Sequence, residues 1–186
     1  MRIITGKLKG RKIKLPHGLD VRPTTDRTKE SMFGVLNVHK EIRGAKVLDL
    51  FGGSGNLGFE AISRGASEVL FVELNPAAVK HIQNTAEQFG VDSQITVLNM
   101  SVEKFLQGQP QPFDIVFTDP PYDVPFIGEM ISGILNDGWL KEKGWFLLEH
   151  DKRHTFKEHP HCGFSKAYGR TIVSIFYAEP VTRDET

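Results

Sequence analysis

From Val47 onward, short apolar runs alternate with amphipathic stretches. Five of these runs end in turn residues and predict the buried strands of a parallel sheet, at residues 47–51, 69–73, 95–98, 114–118 and 145–149. Between them, apolar positions at helical spacing predict four helices, over residues 57–64, 76–89, 102–107 and 126–135. The alternation predicts an α/β fold, a doubly wound and mostly parallel sheet with helices on both faces.

The end of the chain breaks this alternation. Two β-rich runs, residues 164–168 and 171–178, lie on either side of Gly169-Arg170. A two-residue turn between such runs predicts an antiparallel hairpin at one edge of the sheet, and glycine at the first turn position favours a type II′ turn. With the hairpin, the predicted sheet has seven strands.

The first forty residues also differ from the rest. Residues 2–5 and 11–15 predict a small β arm, and apolar residues at helical spacing after Asp26, a plausible N-cap, predict a helix that docks on the main domain. We therefore divide the chain into an N-terminal basic arm with its docking helix, a single main domain and a tail, at residues 1–40, 41–180 and 181–186.

Charge is balanced over the 186 residues but not along them. Six basic residues precede the first acidic one, Asp20, and they are Arg2, Lys7, Lys9, Arg11, Lys12 and Lys14. A basic arm of this kind suits a polyanion such as RNA, and a solvated basic hairpin is the alternative. The single cysteine excludes an intrachain disulfide, and no leader or membrane-length apolar run is evident, so we expect a soluble cytoplasmic protein.

Two further cations fall in the first turn of the predicted N-terminal helix. Arg27 and Lys29 lie where positive charge opposes the helix dipole. Their position is compatible with a phosphate partner and equally with local pairing to Asp26 and Glu30. We count both cations as candidate RNA contacts, and both interpretations remain open.

The turn that follows the first strand is rich in glycine. Gly53, Gly55 and Gly58 have the spacing of a dinucleotide-binding turn, and Glu73, 20 residues after Gly53, is placed to meet ribose hydroxyls. Asp49, however, lies inside the strand just before the turn, where a carboxylate suits the ammonium of an amino-acid moiety better than a pyrophosphate. This favours S-adenosylmethionine over a nicotinamide cofactor, although a nicotinamide-dependent oxidoreductase remains the rival.

Asp119-Pro120-Pro121-Tyr122, at the end of the fourth predicted strand, offers hydrogen-bond acceptors and an aromatic face. Neither proline has an N–H, so the turn is stiff. The Asp119 carboxylate and a backbone carbonyl, that of Pro120, can each accept one N–H of a nucleobase amine while Tyr122 stacks on the ring. The motif suits adenine N6, cytosine N4 and guanine N2 alike.

In order, these motifs resemble the class I amino-methyltransferases that use S-adenosylmethionine. With residues 3–11, 22–30, 48–55 and 119–122 taken together, the chain resembles the bacterial family that methylates guanine N2 in small-subunit (16S) ribosomal RNA. The resemblance covers nearly the whole chain, and residues 22–27 are its family-specific part. It implies a Rossmann-like methyltransferase fold in which Asp49 lies near the methionine end of the cofactor, Glu73 binds the ribose and Asp119 holds the target amine. The chain departs from the family at Ser101, where Asp or Asn is frequent.

Three sets of candidate residues follow from these patterns and the resemblance. The catalytic set is Asp119, Pro120, Pro121 and Tyr122. The cofactor-binding set is Asp49, Phe51, Gly52, Gly53, Ser54, Gly55, Glu73, Leu74, Ser101, Val102 and Asp119, with Ser101 or the Val102 N–H at the adenine edge. The RNA-binding set is Arg2, Lys7, Lys9, Arg11, Lys12, Arg22, Thr24, Arg27 and Lys29.

Four histidines and the cysteine cluster late in the chain, at His150, His154, His159, His161 and Cys162. Their spacing fits no standard zinc pattern, so we predict no metal site and interpret the histidines as surface residues of a linker before the hairpin. The predicted partner is ribosomal RNA within a small-subunit particle, bound by a monomer. A noncatalytic RNA-binding module is the alternative outside catalysis.

Overall fold

The computed structural model describes residues 1–15, 26–121 and 123–182, apart from the side chains of Arg27 and His39. Its centre is one sheet of seven strands in the order β3-β2-β1-β4-β5-β7-β6. The strands are β1 (Lys46–Leu50), β2 (Glu68–Glu73), β3 (Ile95–Asn99), β4 (Phe113–Thr118), β5 (Leu140–Asp151), β6 (Cys162–Tyr168) and β7 (Thr171–Tyr177). The first five strands pair in parallel, and β7 pairs antiparallel with both β5 and β6. The predicted mostly parallel α/β sheet is confirmed.

Within the described residues, five helices cover the two faces of the sheet: α1 (Asp26–His39), α2 (Asn56–Ser63), α3 (Pro76–Phe89), α4 (Val102–Leu106) and α5 (Ile127–Asn136). A short 3-10 turn, Asp92–Gln94, precedes β3. One hydrophobic cluster joins α1, α2 and α3 to one face, and a second cluster joins α4 and α5 to the other. The doubly wound arrangement is therefore confirmed. No helix within the described ranges is long and apolar enough to cross a bilayer.

The order of the strands places a crevice at one edge of the sheet. From β1 the chain moves outward through β2 to β3, and it then returns to the other side of β1 with β4 and β5. The carboxyl ends of β1 and β4 therefore flank the point where the winding reverses, which is where ligands bind in open α/β sheets. Asp49 in β1 and Asp119 just after β4 belong to this edge.

The C-terminal hairpin follows its prediction closely. Tyr168 at the end of β6 pairs with Thr171 at the start of β7, and β6 forms the outer edge of the sheet. The φ angle of Gly169 is positive, at 64°, whereas that of Arg170 is not positive. These are the φ signs of a type II′ turn.

Strand β5 is longer than predicted. It begins at Leu140 rather than at residue 145, and its register with β4 shifts between the Phe113–Leu140 and Ile115–Trp145 pairs. The added residues include the exposed Glu142 and Lys143, which carry no apolar signal. An irregular, polar strand end of this kind gives no period that a sequence pattern can detect.

The N-terminal segment forms less β-structure than predicted. The predicted arm is present only as a short antiparallel pairing of residues 1–3 with residues 11–13, through the Arg2–Lys12 bridge and backbone hydrogen bonds such as that from the Ile3 N–H to the Arg11 carbonyl at 2.9 Å. Its backbone also donates to α2: the N–H groups of Ile4 and Thr5 bond to the Glu60 carboxylate at 2.8 and 3.1 Å. The Leu8 N–H bonds to the hydroxyl of Ser63 at 2.9 Å. Helix α2 therefore supplies hydrogen-bond acceptors that the short antiparallel pairing leaves unfilled.

The N-terminal segment and α1 are part of the main core. Ile3, Leu8 and Ile13 are buried in the same hydrophobic cluster as α2 and the sheet. In α1, Phe33 is fully buried with its ring centroid 5.3 Å from that of Phe117 in β4. The predicted docking of the helix is confirmed, and residues on both sides of the predicted boundary at residue 40 pack in one cluster.

The late histidines are more structural than predicted. His150 is 2% exposed within β5, and its Nε2 lies 2.8 Å from the Ser174 hydroxyl in β7. Burial has the largest influence on the pKa of His150 and lowers it. The interpretation of this residue as a surface linker histidine is therefore wrong. In the described part of the chain, no group of three or more His, Cys, Asp or Glu side chains is arranged to hold a metal ion.

Candidate active site

A cavity of about 830 Å³ opens at the carboxyl edge of β1, β2 and β4. Its walls are the turn after β1, the first turn of α2, the end of β2, the start of α4, and residues 119–121 with Phe126. The described lining includes four carboxyl side chains and no Lys, Arg or His, and the four are Asp49, Glu73, Glu103 and Asp119. An acidic lining favours a cationic ligand and disfavours a pyrophosphate. This argues against the nicotinamide cofactor.

The turn after β1 is held in an uncommon backbone conformation. Phe51 has φ of 58°, the only positive φ of a non-glycine residue in the described part of the chain, and Gly53 and Gly55 have φ of 52° and 76°. A left-handed non-glycine residue costs on the order of 1 kcal/mol and tends to persist at functional sites. The Gly53 N–H donates to Glu73 Oε2 at 2.8 Å and fixes the turn against β2.

Gly58 has a packing role that explains the glycine spacing without a phosphate. A Cβ atom at this position would lie 2.3 Å from the Phe71 ring of β2. The glycine therefore allows α2 to approach the sheet closely. Glycine spacing alone thus carries no information about whether a dinucleotide binds.

Asp49 is a buried carboxyl group at the floor of the cavity. It is 3% exposed, and its Oδ2 accepts a hydrogen bond from the Gly58 N–H at 2.9 Å. Burial raises the pKa of Asp49 well above the ordinary value, and the charges of Asp119 and Glu73 add to the rise against the opposing Gly58 hydrogen bond. A cationic group in the cavity would offset all of these costs.

Glu73 ends β2 at the next position along the edge. Its Oε2 accepts from Gly53 and its Oε1 accepts from the Asn75 N–H at 2.7 Å. Each carboxylate oxygen has two lone-pair sites, so both retain capacity for ribose hydroxyl groups. The adjacent Leu74 lines the cavity and is 65% exposed, which provides an apolar surface for a planar ring.

Ser101 and Val102 lie at the far wall of the cavity, where α4 begins. The Ser101 hydroxyl caps the helix by accepting from the Lys104 N–H at 3.2 Å. Its hydroxyl proton is still available to a ligand, because a capping serine uses its oxygen as acceptor. The contacts of Ser101 and Val102 with adenine stay a prediction.

The acceptor motif begins where β4 ends. Asp119, Pro120 and Pro121 line the same cavity as Asp49, and the Pro121 carbonyl accepts from the Val124 N–H at 3.1 Å to close the turn. Tyr122, which is predicted to stack on the base, lies outside the described residues. The predicted cofactor and acceptor halves thus share one cavity, and their roles stay predictions.

The predicted RNA-binding residues fall into three groups. Arg2, Lys7, Lys9, Arg11 and Lys12 are exposed. Within this exposed group, Arg2 Nε is 3.1 Å from Asp26, Lys7 donates to Gln94, and Arg11 donates to the Gln88 carbonyl at 2.9 Å. Arg22, Thr24 and the Arg27 side chain lie outside the described residues.

Lys29 forms the third group, and its assignment to RNA is wrong. The side chain is fully buried, with Nζ 3.3 Å from Glu60 and hydrogen-bonded to the Arg2 carbonyl at 2.6 Å. Burial, as the largest cause, lowers its pKa, and Glu60 opposes that effect. A buried ammonium cannot contact a phosphate, and its partner Glu60 is neither of the local acidic residues considered from the sequence.

Asn56 is a cavity residue that the sequence patterns missed. It opens α2 and lines the cavity while being 3% exposed. Its place directly after the glycine turn was the available signal, since the first turn of such a helix faces the ligand. The other missed lining residues are Leu57, Val72, Asn75 and Glu103.

Comparison with known proteins identifies the family of the chain. The profile of the family described as Conserved hypothetical protein 95 matches residues 1–177. The ribosomal RNA small subunit methyltransferase D of Haemophilus influenzae is 39% identical over 155 residues, which are 82% of this chain and 79% of that protein.

Solved structures share the fold. The structure of yhhF from Escherichia coli is 30% identical, with a TM-score of 0.85 over 97% of this chain and 99% of that chain. An RNA methyltransferase from Salinibacter ruber, solved with S-adenosyl-L-homocysteine, shares the fold at 14% identity with a TM-score of 0.66, over 88% of this chain and 98% of that chain. The resemblance drawn from the sequence motifs is confirmed, and the chain belongs to the Conserved hypothetical protein 95 family of methyltransferases.

Proposed function

We propose that this protein transfers a methyl group from S-adenosylmethionine to the exocyclic N2 amine of a guanine in 16S ribosomal RNA. The observation that carries the proposal is the single acidic cavity, which joins Asp49 and Glu73 to Asp119 at one edge of the sheet. The name of the Haemophilus influenzae relative supports ribosomal RNA of the small subunit as the substrate class. The choice of guanine N2 rests on the motif resemblance, because adenine N6 and cytosine N4 satisfy the same acceptors.

The residues of the cavity fit the cofactor. Asp49 holds the ammonium of the amino-acid end, Glu73 holds the ribose hydroxyl groups, and Leu74 and Val102 enclose the adenine. When bound, S-adenosylmethionine supplies a methyl carbon that is made electrophilic by its sulfonium. The acidic lining is suited to that positive charge.

Asp119 and its turn orient the acceptor. The Asp119 carboxylate and the Pro120 carbonyl accept one N–H each, which turns the nitrogen lone pair out of conjugation and toward the methyl carbon. The N–C bond would form as the methyl–sulfur bond breaks with its electron pair left on sulfur, and Asp119 would stabilise the positive charge that develops on the amine until the proton passes to solvent. Preorganised electrostatic stabilisation of this kind contributes on the order of 3 kcal/mol per group.

The target base has to leave its stack to reach the cavity. The exposed basic side chains of the N-terminal segment supply phosphate contacts, and Tyr122 supplies the stacking surface for the extruded base. We place the reaction on a small-subunit particle in the cytoplasm, with the protein acting as a monomer.

We expect RNA affinity to depend less on salt once the N-terminal basic residues are neutralised. Lys9 and Lys12 are the best positions, since both are exposed, whereas Lys7 and Arg11 also hydrogen-bond within the protein. Each lost phosphate contact lowers the slope of log affinity against log salt by about 0.7–0.9. Filter binding of a 16S RNA fragment between low and moderate salt measures the slope of the double variant Lys9→Gln/Lys12→Gln.

The matched control for this measurement is Lys46→Gln/Lys143→Gln. These two substitutions remove the same amount of charge from exposed lysines near the amino ends of β1 and β5, opposite the cavity edge. The control should keep the wild-type slope. An unchanged slope for the Lys9 and Lys12 variant would make the N-terminal segment a solvated surface.

The substrate particle is tested by incubating the protein with tritiated S-adenosylmethionine and rRNA that lacks the modification. Naked 16S RNA, assembled small subunits and large subunits are supplied separately. We expect label in 16S RNA from the small subunits and none in the large subunits. Label confined to large-subunit RNA would overturn the proposed substrate.

A further inference from the structure

Asn56 carries a buried amide that is only half satisfied. Its Oδ1 accepts from Lys29 Nζ at 2.7 Å, while its Nδ2 has no hydrogen-bond partner. We propose that Asn56 Nδ2 donates a hydrogen bond to the carboxylate of the amino-acid end of S-adenosylmethionine, and that Lys29 is the positioning residue that holds the amide in this orientation. The inference rests on the proposed use of that cofactor and deepens it by assigning a carboxylate subsite.

The orientation of the amide is set by Lys29. An ammonium group has three hydrogen-bond donors and no acceptor. Only the oxygen of the amide can therefore hydrogen-bond with it. Lys29 is fully buried and outside the cavity lining, whereas Asn56 lines the cavity. The nitrogen, on the opposite side of the amide from the oxygen, is therefore directed away from Lys29, and the proposal places it toward the cavity that Asn56 lines.

Lys29 is itself held in place from three directions. Besides Asn56, it contacts the Glu60 carboxylate and the carbonyl of Arg2. Glu60 is also fully buried, and it binds Arg64 Nε at 2.9 Å. Because every contact of this ammonium is fixed by α2 or the N-terminal backbone, the amide of Asn56 has little freedom to flip.

The neighbouring groups match an α-amino carboxylate. Asp49 of β1 accepts from the N–H of Gly58, which lies two residues after Asn56 in the first turn of α2, and so places an acceptor for the ammonium against that turn. Asn56 Nδ2 provides a hydrogen-bond donor for the carboxylate, and the positive end of the α2 dipole provides a favourable electrostatic potential. One acceptor and one donor side by side recognise both charges of the amino-acid end.

Paired ligands test the assignment directly. Isothermal calorimetry compares S-adenosylhomocysteine with 5′-methylthioadenosine, which keeps the nucleoside and sulfur but lacks both the amino and the carboxyl group. The variants are Asn56→Leu, which removes the amide at similar size, and Asn56→Asp, which replaces the donor with an acceptor. We expect each to lose about tenfold or more in affinity for S-adenosylhomocysteine and to bind 5′-methylthioadenosine within twofold of wild type.

Lys29 is tested through the same ligand pair. Lys29→Met should lose affinity for S-adenosylhomocysteine selectively, and Lys29→Arg should recover most of it, since a guanidinium also presents only donors. Binding of 5′-methylthioadenosine reports that the cavity is folded in each variant. Equal loss for both ligands would make Asn56 and Lys29 purely structural and would overturn the proposal, as would wild-type affinity of the Asn56 variants for S-adenosylhomocysteine.

The outcome is separable from that of the proposed function. If the wild-type protein binds neither ligand, the use of S-adenosylmethionine itself fails and the subsite fails with it. If the wild type binds both and the Asn56 variants do not discriminate between them, only the subsite fails.

Discussion

Replacing Asp119 with alanine should lower the rate of methyl transfer by about two orders of magnitude or more, while affinity for S-adenosylhomocysteine stays within a few-fold. Asp119 lines the cavity beside the acceptor turn, so its carboxylate acts on the amine and on the charge that develops there. Single-turnover transfer of labelled methyl groups measures the rate, and calorimetry measures the affinity of the same preparation.

Asp137→Ala is the matched control for this prediction. Asp137 is an exposed carboxylate at the end of α5 and is not part of the cavity. Its variant should transfer methyl groups at the wild-type rate. Near-normal turnover by Asp119→Ala would remove the acceptor role from the motif and with it the assignment of the reaction.

Asp49→Asn should have the second large effect. It should weaken ligand binding and raise the stability of the ligand-free protein. The asparagine oxygen can still accept from the Gly58 N–H, so the fold is kept, but the negative charge for the ligand ammonium is lost. We expect S-adenosylhomocysteine to bind more than tenfold more weakly. Calorimetry over a pH series should also show that the wild-type affinity rises as Asp49 ionises and that the affinity of the variant does not follow this rise.

The stability effect follows from the raised pKa of Asp49. A carboxyl group whose folded pKa lies above its unfolded value of 3.8 stabilises the fold when protonated, and this contribution is lost as pH rises through the folded pKa. The ligand-free Asp49→Asn protein should therefore melt at a higher temperature than wild type above that pKa. The two melting curves should approach each other at acid pH. A variant that melts below wild type throughout, or that binds the ligand equally well, would refute this role of Asp49.

The location of the site was predictable because local patterns determined it. Each apolar run predicted a strand, and Asp49, Glu73 and Asp119 each lie at a strand end, so a parallel sheet necessarily brings them to one edge. The type II′ hairpin was equally local, since Gly169 alone supplies the required positive φ.

The misjudged residues have partners that are distant in sequence. Lys29 and Glu60 are 31 positions apart, and no sequence periodicity links α1 to α2. The sequence alone therefore indicated that Lys29 was a surface cation, although it is one half of a buried ion pair. The N-terminal backbone likewise bonds to Glu60 and Ser63 of α2, in addition to its own short antiparallel pairing. His150 is likewise a core residue whose partners include Ser174 in β7, 24 positions away. Tertiary contacts of this kind override local propensity.

The same tertiary contacts connect the N-terminal segment to the cofactor cavity. Glu60 binds the backbone of residues 4 and 5, and Lys29 joins Glu60 to Asn56 at the cavity wall. The segment proposed to meet RNA is therefore anchored on the helix that begins at the cofactor turn. The proposed substrate contacts and the proposed cofactor contacts thus share α2 as their common support.

The most direct test is the identity of the methylated nucleoside. Small subunits that lack the modification are incubated with the protein and S-adenosylmethionine, and the 16S RNA is digested to nucleosides and analysed by mass spectrometry against synthetic standards. We predict N2-methylguanosine in the wild-type reaction and none with Asp119→Ala. Methylation of adenine N6 or cytosine N4 in place of guanine N2, or no methylated nucleoside at all from a protein that binds the cofactor, would contradict the proposed reaction.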